Sequence, residues 1–568
     1  MLVRKMIRDI KNNMSQFIAI FLMVMIGVMA YTGIEAYMGG MQHTADKFYS
    51  ENNLFDLVSI SANFTDDDLK KVKKLDNVKD AERKLSVNAT TDNDRTLLLN
   101  FIESNNISKF YVKKGVPFDA SLHGVWLDEY YAKENSINVG DTILVKYDTL
   151  ELKEKVLGLI NVPDHLYDTK DESELYPNRK EFGFAYLSIN ELSEDYIKSK
   201  VMDEMNIKDE NIFNKYVKNF NYKDYYVFNY LMVDVDNEEK IDDVKKDIED
   251  NIESSSIVLP ATKTASYITY QGEIDEGKTY VGVFSGLFIF IALLSVITTM
   301  TRVVKKQRVQ IGTLKALGFS DTKILIHYLS YGFTVSLIGV ILGLLLGYFG
   351  IGNIFMSLET SFFEIPNGAP LMSSSSYIVS GIVIFLVLLI TYLTVRSILH
   401  ECPAATLRNE IPKVKKGSLN LTIGKLFNKL NFSSKWNLRD IIRNKMRTIM
   451  GLSGIVGCTV LIVCALGMKD SLNHFVDLQF NDIYNFDYKL TLKNDISAEE
   501  RKNLKEVYGN ETSLTLNIEI LKEDKKTNNT ALINDSTSLL RFVDTKNKFM
   551  KLDNSKGVYI TSKLAQLD

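Results

Sequence analysis

Cysteine is scarce: Cys402, Cys458 and Cys464 are the only three in 568 residues. The first follows a long apolar block and the other two lie inside one, so no disulfide staples the polar regions, and each reads as small apolar filler. Charge is missing from five blocks of about twenty residues, the length an α-helix needs to cross hydrocarbon. These are residues 17–36, with Glu35 at the far end, 281–301, 324–351, 377–395 and 449–468. No small-residue cleavage site follows the first block, and its continuation "EAYMGGMQHTADKFY" looks helical, which predicts a true span rather than a signal peptide. Apart from His327, read as an interfacial residue near one end of the third block, no ionisable side chain lies well inside a block. A proton or ion relay therefore has no material. Catalytic and metal-ligating constellations are missing too. "PDHLYDTKDESE" gathers Asp164, His165, Asp168, Asp171, Glu172 and Glu174 without ordered ligand spacing and is expected to be a solvated loop.

Lys and Arg are distributed unevenly between the blocks, and the side with the excess is expected to be cytoplasmic. Arg4, Lys5, Arg8 and Lys11 precede the first block; Arg302, Lys305, Lys306, Arg308, Lys315 and Lys323 lie between the second and third. Residues 352–376, between the third and fourth, carry only Glu359 and Glu364. Arg408, Lys413, Lys415, Lys416, Arg439, Arg443, Lys445 and Arg447 follow the fourth. The pattern alternates at every crossing and puts the amino terminus inside and residues 37–280 outside.

"GEIDEGKT", Gly272 to Thr279, fits the phosphate-binding pattern G-x-x-x-x-G-K-[ST]. Such a loop needs a strand before it and a soluble helix after it; here a span follows, on the side where ATP is scarce, and Glu273, Asp275 and Glu276 would repel a triphosphate. Nucleotide binding is excluded on these grounds, and Gly272 and Gly277 are expected to form a flexible elbow.

The chain repeats itself. "RDIKNNMSQF" at Arg8 returns as "RDIIRNKMRTI" at Arg439, "NLFDLVSI" at Asn53 as "YNFDYKLTL" at Tyr484, and "HGVWLDEYYAK" at His123 as "KGVYITSKLAQ" at Lys556. This implies two copies of one unit, a span, an outer domain and three more spans, with the second copy stopping before the strand expected from "NSINVGDTILVKY". A protein of about eight spans is expected, of which this chain is a fragment or an early-terminated form. Within the outer domain "FDLVSISA" and "RTLLLNFIE" alternate like strands, while "DDDLKKVKKLD", with Leu69, Val72 and Leu75 at helical spacing, and "DDVKKDIEDNI" read as helices. The domain is more acidic than basic; that suits either a cationic ligand such as an antimicrobial peptide or an ordinary solvated surface.

Between the second and third blocks stands "RVVKKQRVQIGTLKALGFSDTKIL". Ile311, Leu314, Leu317 and Phe319 form a short apolar stripe that could dock in a groove of a soluble partner, with Arg308, Lys315 and Lys323 at its rim. Gly318 is placed to end the helix, and Ser320 or Asp321 to cap the next. A connector lying on lipid headgroups is the alternative. Arg308, Ile311, Gly312, Leu314, Lys315, Ala316, Leu317, Gly318 and Ser320 resemble the loop of FtsX-like, or MacB-type, permease subunits of ABC transporters, with Gln310 in place of the usual acidic residue. "CPAATLR", with Pro403, Leu407 and Arg408, is similar to that family's motif after the fourth span. Gly339, Gly343 and Gly347 recur at spacing four in the third block, a face suited to spans that move and to static packing alike.

The resemblance implies an α-helical integral membrane protein with mixed α/β extracellular domains of the MacB-core type. The expected order is a cytoplasmic segment 1–16, span 17–36, MacB-like domain 37–280, span 281–301, coupling loop 302–323, span 324–351, outer loop 352–376, span 377–395, cytoplasmic linker 396–448, span 449–468 and the start of a second outer domain, 469–568. The FtsX-like module covers about 285–408. The implied function is a permease subunit coupling ATP hydrolysis by a separate cytoplasmic ATPase, expected as a dimer, to movement of the outer domains, for export of a peptide, lipid or drug or for mechanical work outside. ATP and Mg would be bound by that partner and no cofactor by this chain. No enzymatic activity and no nucleic-acid partner are expected, and a bacterial plasma membrane is the expected site. The alternative is a non-transporting regulator or sensor acting on a cell-wall hydrolase or signalling partner.

Overall fold

The computed structural model describes residues 2–171, 174, 176–217, 220–255, 257–400, 431–443, 445–487, 489–490, 492, 496–508, 513–522, 525–534, 538–553 and 557–565. Two compact units, Met1–Gly457 and Cys458–Asp568, are described separately.

In the first unit the short helix α1 (Leu2–Asn12) breaks at Asn13, and α2 (Met14–Glu51) starts at once. At 1.5 Å per residue α2 is about 57 Å long, close to twice the hydrocarbon thickness, so its second half continues beyond a bilayer.

A mixed α/β domain follows: β1 (Leu57–Ile60), α3 (Asp66–Val72), β2 (Val78–Thr91), β3 (Thr96–Ile102), β4 (Tyr111–Gly115), β5 (Val125–Asp128), α4 (Glu129–Glu134), β6 (Thr142–Tyr147), β7 (Leu150–Asn161), β8 (Phe182–Ser188), α5 (Glu194–Glu204), α6 (Glu210–Tyr216), β9 (Tyr230–Val235), α7 (Ile241–Asn251) and β10 (Ile257–Pro260). The order β10-β1-β9-β2, antiparallel throughout, makes β1-α3-β2 and β9-α7-β10 two split βαβ units of a ferredoxin-like layout. Everything from β3 to β8 is inserted between its second and third strands. There β6 pairs with β7 and also, through Thr90 and Thr91, with β2, so β2-β3-β8-β5-β7-β6 close into a ring without free edges. The strands and helices expected from "FDLVSISA", "RTLLLNFIE", "DDDLKKVKKLD" and "DDVKKDIEDNI" are β1, β3, α3 and α7. The local cause for α3 is a capping box: Thr65 accepts from the Asp68 amide and Asp68 from the Thr65 amide.

The chain leaves the domain through α8 (Ala265–Lys306), about 63 Å long by the same rise. α2 and α8 run together as a two-helix stalk: the Tyr270 hydroxyl donates to the Met41 carbonyl at 2.8 Å, and Tyr49 stacks on Tyr267. The elbow expected at Gly272 and Gly277 is absent. Both lie inside continuous helix, and a Cβ on Gly277 would fall 2.1 Å from Met38 Cε, so this glycine lets the stalk helices touch. The same continuity leaves "GEIDEGKT" without the strand-loop-helix frame of a phosphate loop.

After α9 (Arg308–Ala316) come α10 (Asp321–Leu346), a π-helical turn (Gly347–Gly352), α11 (Asn353–Glu359) and α12 (Ser374–Leu399). Gly339, Gly343 and Gly347 face α2: an added Cβ would stand 3.1 Å from the Phe21 carbonyl oxygen, 2.8 Å from that of Met25 and 2.9 Å from that of Met29. The stripe is thus the seam between the first and third spans.

The first unit ends with α13 (Phe432–Arg443) and the start of α14 (Lys445–Asp477); in the second unit the rest of α14, from Cys458, is followed by α15 (Ala498–Tyr508) and an antiparallel hairpin, β11 (Ser513–Lys522) with β12 (Lys525–Asn534). The repeat is visible in local detail. Ser497 and Glu500 form the hydrogen bonds of a capping box before α15, as Thr65 and Asp68 do before α3, and Gly124 and Gly557 both have positive φ. Among the described residues five helices, within Met14–Glu51, Ala265–Lys306, Asp321–Glu359, Ser374–Leu399 and Ile455–Ile483, are long and apolar enough to cross a membrane.

Candidate coupling site at the base of the helix bundle

The loop between the second and third spans is a helix held by defined turns. Gln307 ends α8 and begins α9. At the far end Gly318 has φ +85°, the Phe319 amide donates to the Leu314 carbonyl at 3.1 Å and the Gly318 amide to that of Lys315 at 3.0 Å. This is the Schellman arrangement, which needs a residue free of Cβ crowding at Gly318. Ser320 then stands at the N-cap position of α10, without a side-chain cap hydrogen bond.

The docking stripe expected from the sequence does not face outward as a unit. Ile311 is fully buried in the bundle core with Val304, Ile324 and Tyr328, and Leu314 and Phe319 pack against the same core. Gly312 is buried as well. Lys315 is no rim residue either: its ammonium donates to the Leu399 carbonyl at the end of α12 at 2.6 Å and pairs with Asp321 at 3.1 Å. The outward surface consists of Val309, 50% exposed, Leu317, 71% exposed, and Gln310, Thr313, Ala316 and Gly318. Val309, Thr313, Ala316 and Leu317 stand at i, i+4, i+7 and i+8, one helical face. Arg308 is half-buried. Pro403, Leu407 and Arg408 lie outside the described residues.

Behind α9 sits a buried polar cluster that sequence reasoning missed. Asp9 on α1 accepts from Lys5 at 2.5 Å, from the Tyr331 hydroxyl at 2.9 Å and from the Gln307 amide at 3.3 Å. The Tyr328 hydroxyl donates to Gln307 Oε1 at 2.6 Å, and His327 Nε2 lies 3.2 Å from the Tyr331 oxygen. His327 is therefore a buried member of this cluster. Burial alone would raise the Asp9 carboxyl, but hydrogen bonds from Lys5 and Tyr331 hold it below its ordinary range. One network thus joins α1, the α8–α9 junction and α10. Its only sequence signal was an acid in a basic segment, recurring in the repeat as Asp440.

A second buried cluster fixes the α/β domain to the hairpin between the third and fourth spans. Arg179 pairs with the fully buried Glu364 through Nη1 and donates through Nη2 to the Phe362 carbonyl at 3.0 Å. The Glu364 amide donates to the Leu166 carbonyl at 2.8 Å. Burial pushes Glu364 well up, against the pull of Arg179; burial likewise raises Asp128 to about 7. The first part of the loop read as solvated is folded inward: Asp164 pairs with the buried Lys84 at 3.2 Å and His165 with Asp168 at 2.7 Å, while Asp171 is exposed and Glu172 lies outside the described residues. Lys84, far away on β2, supplies the countercharge that permits this burial. Among the described residues no group of three or more His, Cys, Asp or Glu side chains is placed to hold a metal ion.

Residues 282–403 match the family described as FtsX-like permease C-terminal. Among solved structures, the extracellular domain of the noncanonic ABC-type transporter YknZ from Gram-positive bacteria is similar at 13% identity, over 37% of this chain and 99% of that chain, with a TM-score of 0.23. The periplasmic region of MacB from Actinobacillus actinomycetemcomitans is similar at 9% identity, over 40% of this chain and 95% of that one, with a TM-score of 0.22. No curated protein matches the chain. The matched segment contains α9, α10, α11 and α12, and over that segment this membrane protein is similar to the FtsX-like permease family.

Proposed function

We propose that the chain is the permease subunit of an ABC transporter, driven by a separate cytoplasmic ATPase that binds ATP and Mg itself and docks on the outward face of α9. The observation that carries this reading is that face: Val309, Thr313, Ala316 and Leu317 leave a small apolar surface exposed on a helix whose other side is locked into the bundle. Amphipathic helices of this kind dock through a few apolar anchors. In this reading the amino terminus is cytoplasmic, the protein lies in a bacterial plasma membrane, and the α/β domain stands outside. Hydrolysis in the partner moves α9; the continuous α8 and the Arg179–Glu364 pair pass that movement to the α/β domain, which expels a peptide, lipid or drug or works on something outside. The test is co-expression of the full-length protein with its candidate ATPase, purification in mild detergent, and measurement of ATP hydrolysis. Capture of a stoichiometric ATPase whose turnover changes on association is expected; an ATPase that neither co-purifies nor changes its rate would overturn the reading.

A further inference from the structure

At the end of the bundle nearest the α/β domain, a cleft of about 560 Å³ opens between that domain and the hairpin after α10. Lys133 on α4 and Lys180 in the loop before β8 line one side; Ser357, Thr360 and Ser361 line the other. Arg179 also borders the cleft, but its charge is met by Glu364. Glu134 is the acid on the rim. Lys133 and Lys180 are exposed, and neither ammonium has an ion-pair partner among the described residues. Among the described residues, two unpaired cations against one acid leave the cleft positive.

The other side continues into apolar surface. Ile354, Ser357 and Leu358 stand at i, i+3 and i+4 on α11, so one of the cleft's hydroxyls and two exposed apolar side chains share one helical face, and Thr360 and Ser361 follow in the turn after it. Ile354 is 60% exposed and Leu358 53% exposed. They belong to the end of a span, where acyl chains rather than water cover apolar side chains. A positive cleft above an apolar strip has the polarity of an anionic amphiphile lying at a membrane surface.

We propose that this cleft seats the anionic headgroup of a membrane lipid, with its acyl chains along Ile354 and Leu358. The site requires the membrane but no ATPase, so it stands or falls separately from the coupling reading. The two lysines supply attraction for the phosphate, about fivefold in affinity each; Leu358 supplies contact for the chains, and the pairing of Arg179 with Glu364 holds the two sides of the cleft together.

The experiment measures retention of labelled phosphatidylglycerol, phosphatidylcholine and glycerol 3-phosphate by the full-length protein in detergent. Phosphatidylglycerol should be retained over phosphatidylcholine. Lys133→Gln with Lys180→Gln should lower that retention roughly 25-fold, Lys133→Arg with Lys180→Arg should restore it, and Leu358→Asp should lower it with the lysines intact. Both lysines are exposed, so an unchanged unfolding midpoint is expected in the Gln pair. Equal retention by wild type and the Gln pair overturns the proposal. So does glycerol 3-phosphate competing as well as the lipid, which would make the cleft a site for a soluble anion.

Discussion

Replacing Leu317 by Asp tests which side of α9 meets a partner. Leu317 is 71% exposed, so the substitution removes little packing inside the bundle, and fold stability should change by no more than about 0.5 kcal/mol. If an ATPase groove covers this residue, the variant loses the burial of a leucine, about 2–3 kcal/mol, before any cost of desolvating the new carboxylate. That corresponds to a roughly 30- to 150-fold weaker Kd. Ile311→Ala has the opposite signature. Ile311 is fully buried, so deleting its side chain should cost about 2–5 kcal/mol of fold stability and disturb docking only through the fold. The assay titrates purified ATPase against the detergent-solubilised permease and records the unfolding midpoint of each variant. Binding by Leu317→Asp within twofold of wild type, at an unchanged midpoint, would refute the assignment of the outward face.

Three further outcomes follow from the buried contacts. Asp9→Ala leaves the Lys5 ammonium, the Tyr331 hydroxyl and the Gln307 amide without their acceptor; at about 1–3 kcal/mol for a stranded buried group, amide exchange in α1 should rise at least fivefold, and unchanged protection would refute the network. Gly343→Leu must push α10 away from the Met25 carbonyl and should lower the unfolding midpoint by several degrees, about 1–3 kcal/mol, whereas Gly350→Ala, with open space around it, should not. Burial holds the Asp128 carboxyl up at about 7, so the folded state keeps a proton that the unfolded chain releases near 4; stability is present below that range and lost as pH rises through it. Asp128→Asn, which can still accept from the Tyr130 amide, should therefore flatten the fall in midpoint between pH 5 and pH 8; an equally steep fall would remove Asp128 as its cause.

Sequence patterns revealed what is local. Long apolar blocks marked all five membrane helices, because length and lack of charge suffice to specify a span. Leu69, Val72 and Leu75 at helical spacing announced α3, and Gly318 the end of α9, since a helical period and a left-handed turn are both written in a few neighbouring residues. The direction of α9 was not legible, because both of its faces are apolar: Ile311 and Leu314 on one side, Val309 and Leu317 on the other. Hydrophobicity says that a helix has a face to bury but cannot rank two of them when a partner covers the second. The Asp9 cluster joins residues some three hundred positions apart, and the ring closed by β6 depends on Thr90 and Thr91 at the end of an unusually long strand. Gly277 misled for a related reason: a helical glycine needed for contact with Met38 carries the same letter as a glycine needed for a turn.

Whether α8 acts as a stiff rod or bends can be decided at its glycines. Gly272, Gly282 and Gly286 lie in continuous helix, and an added Cβ at each would meet no atom within 4 Å. Alanine therefore fits at all three, and each exchange should stabilise the helix by up to about 1 kcal/mol while restricting its bending. Gly277 is unsuitable, because a Cβ there collides with Met38. In the proposed coupling scheme α8 carries displacement from α9 to the α/β domain over its full length, which requires stiffness. The triple Gly→Ala variant should then keep the partner's ATPase turnover within about twofold of wild type, with a raised unfolding midpoint. A triple variant that folds, raises the midpoint, binds the ATPase and yet loses turnover would show that α8 has to bend between its ends, and a rod could not then be the path by which α9 reaches the α/β domain.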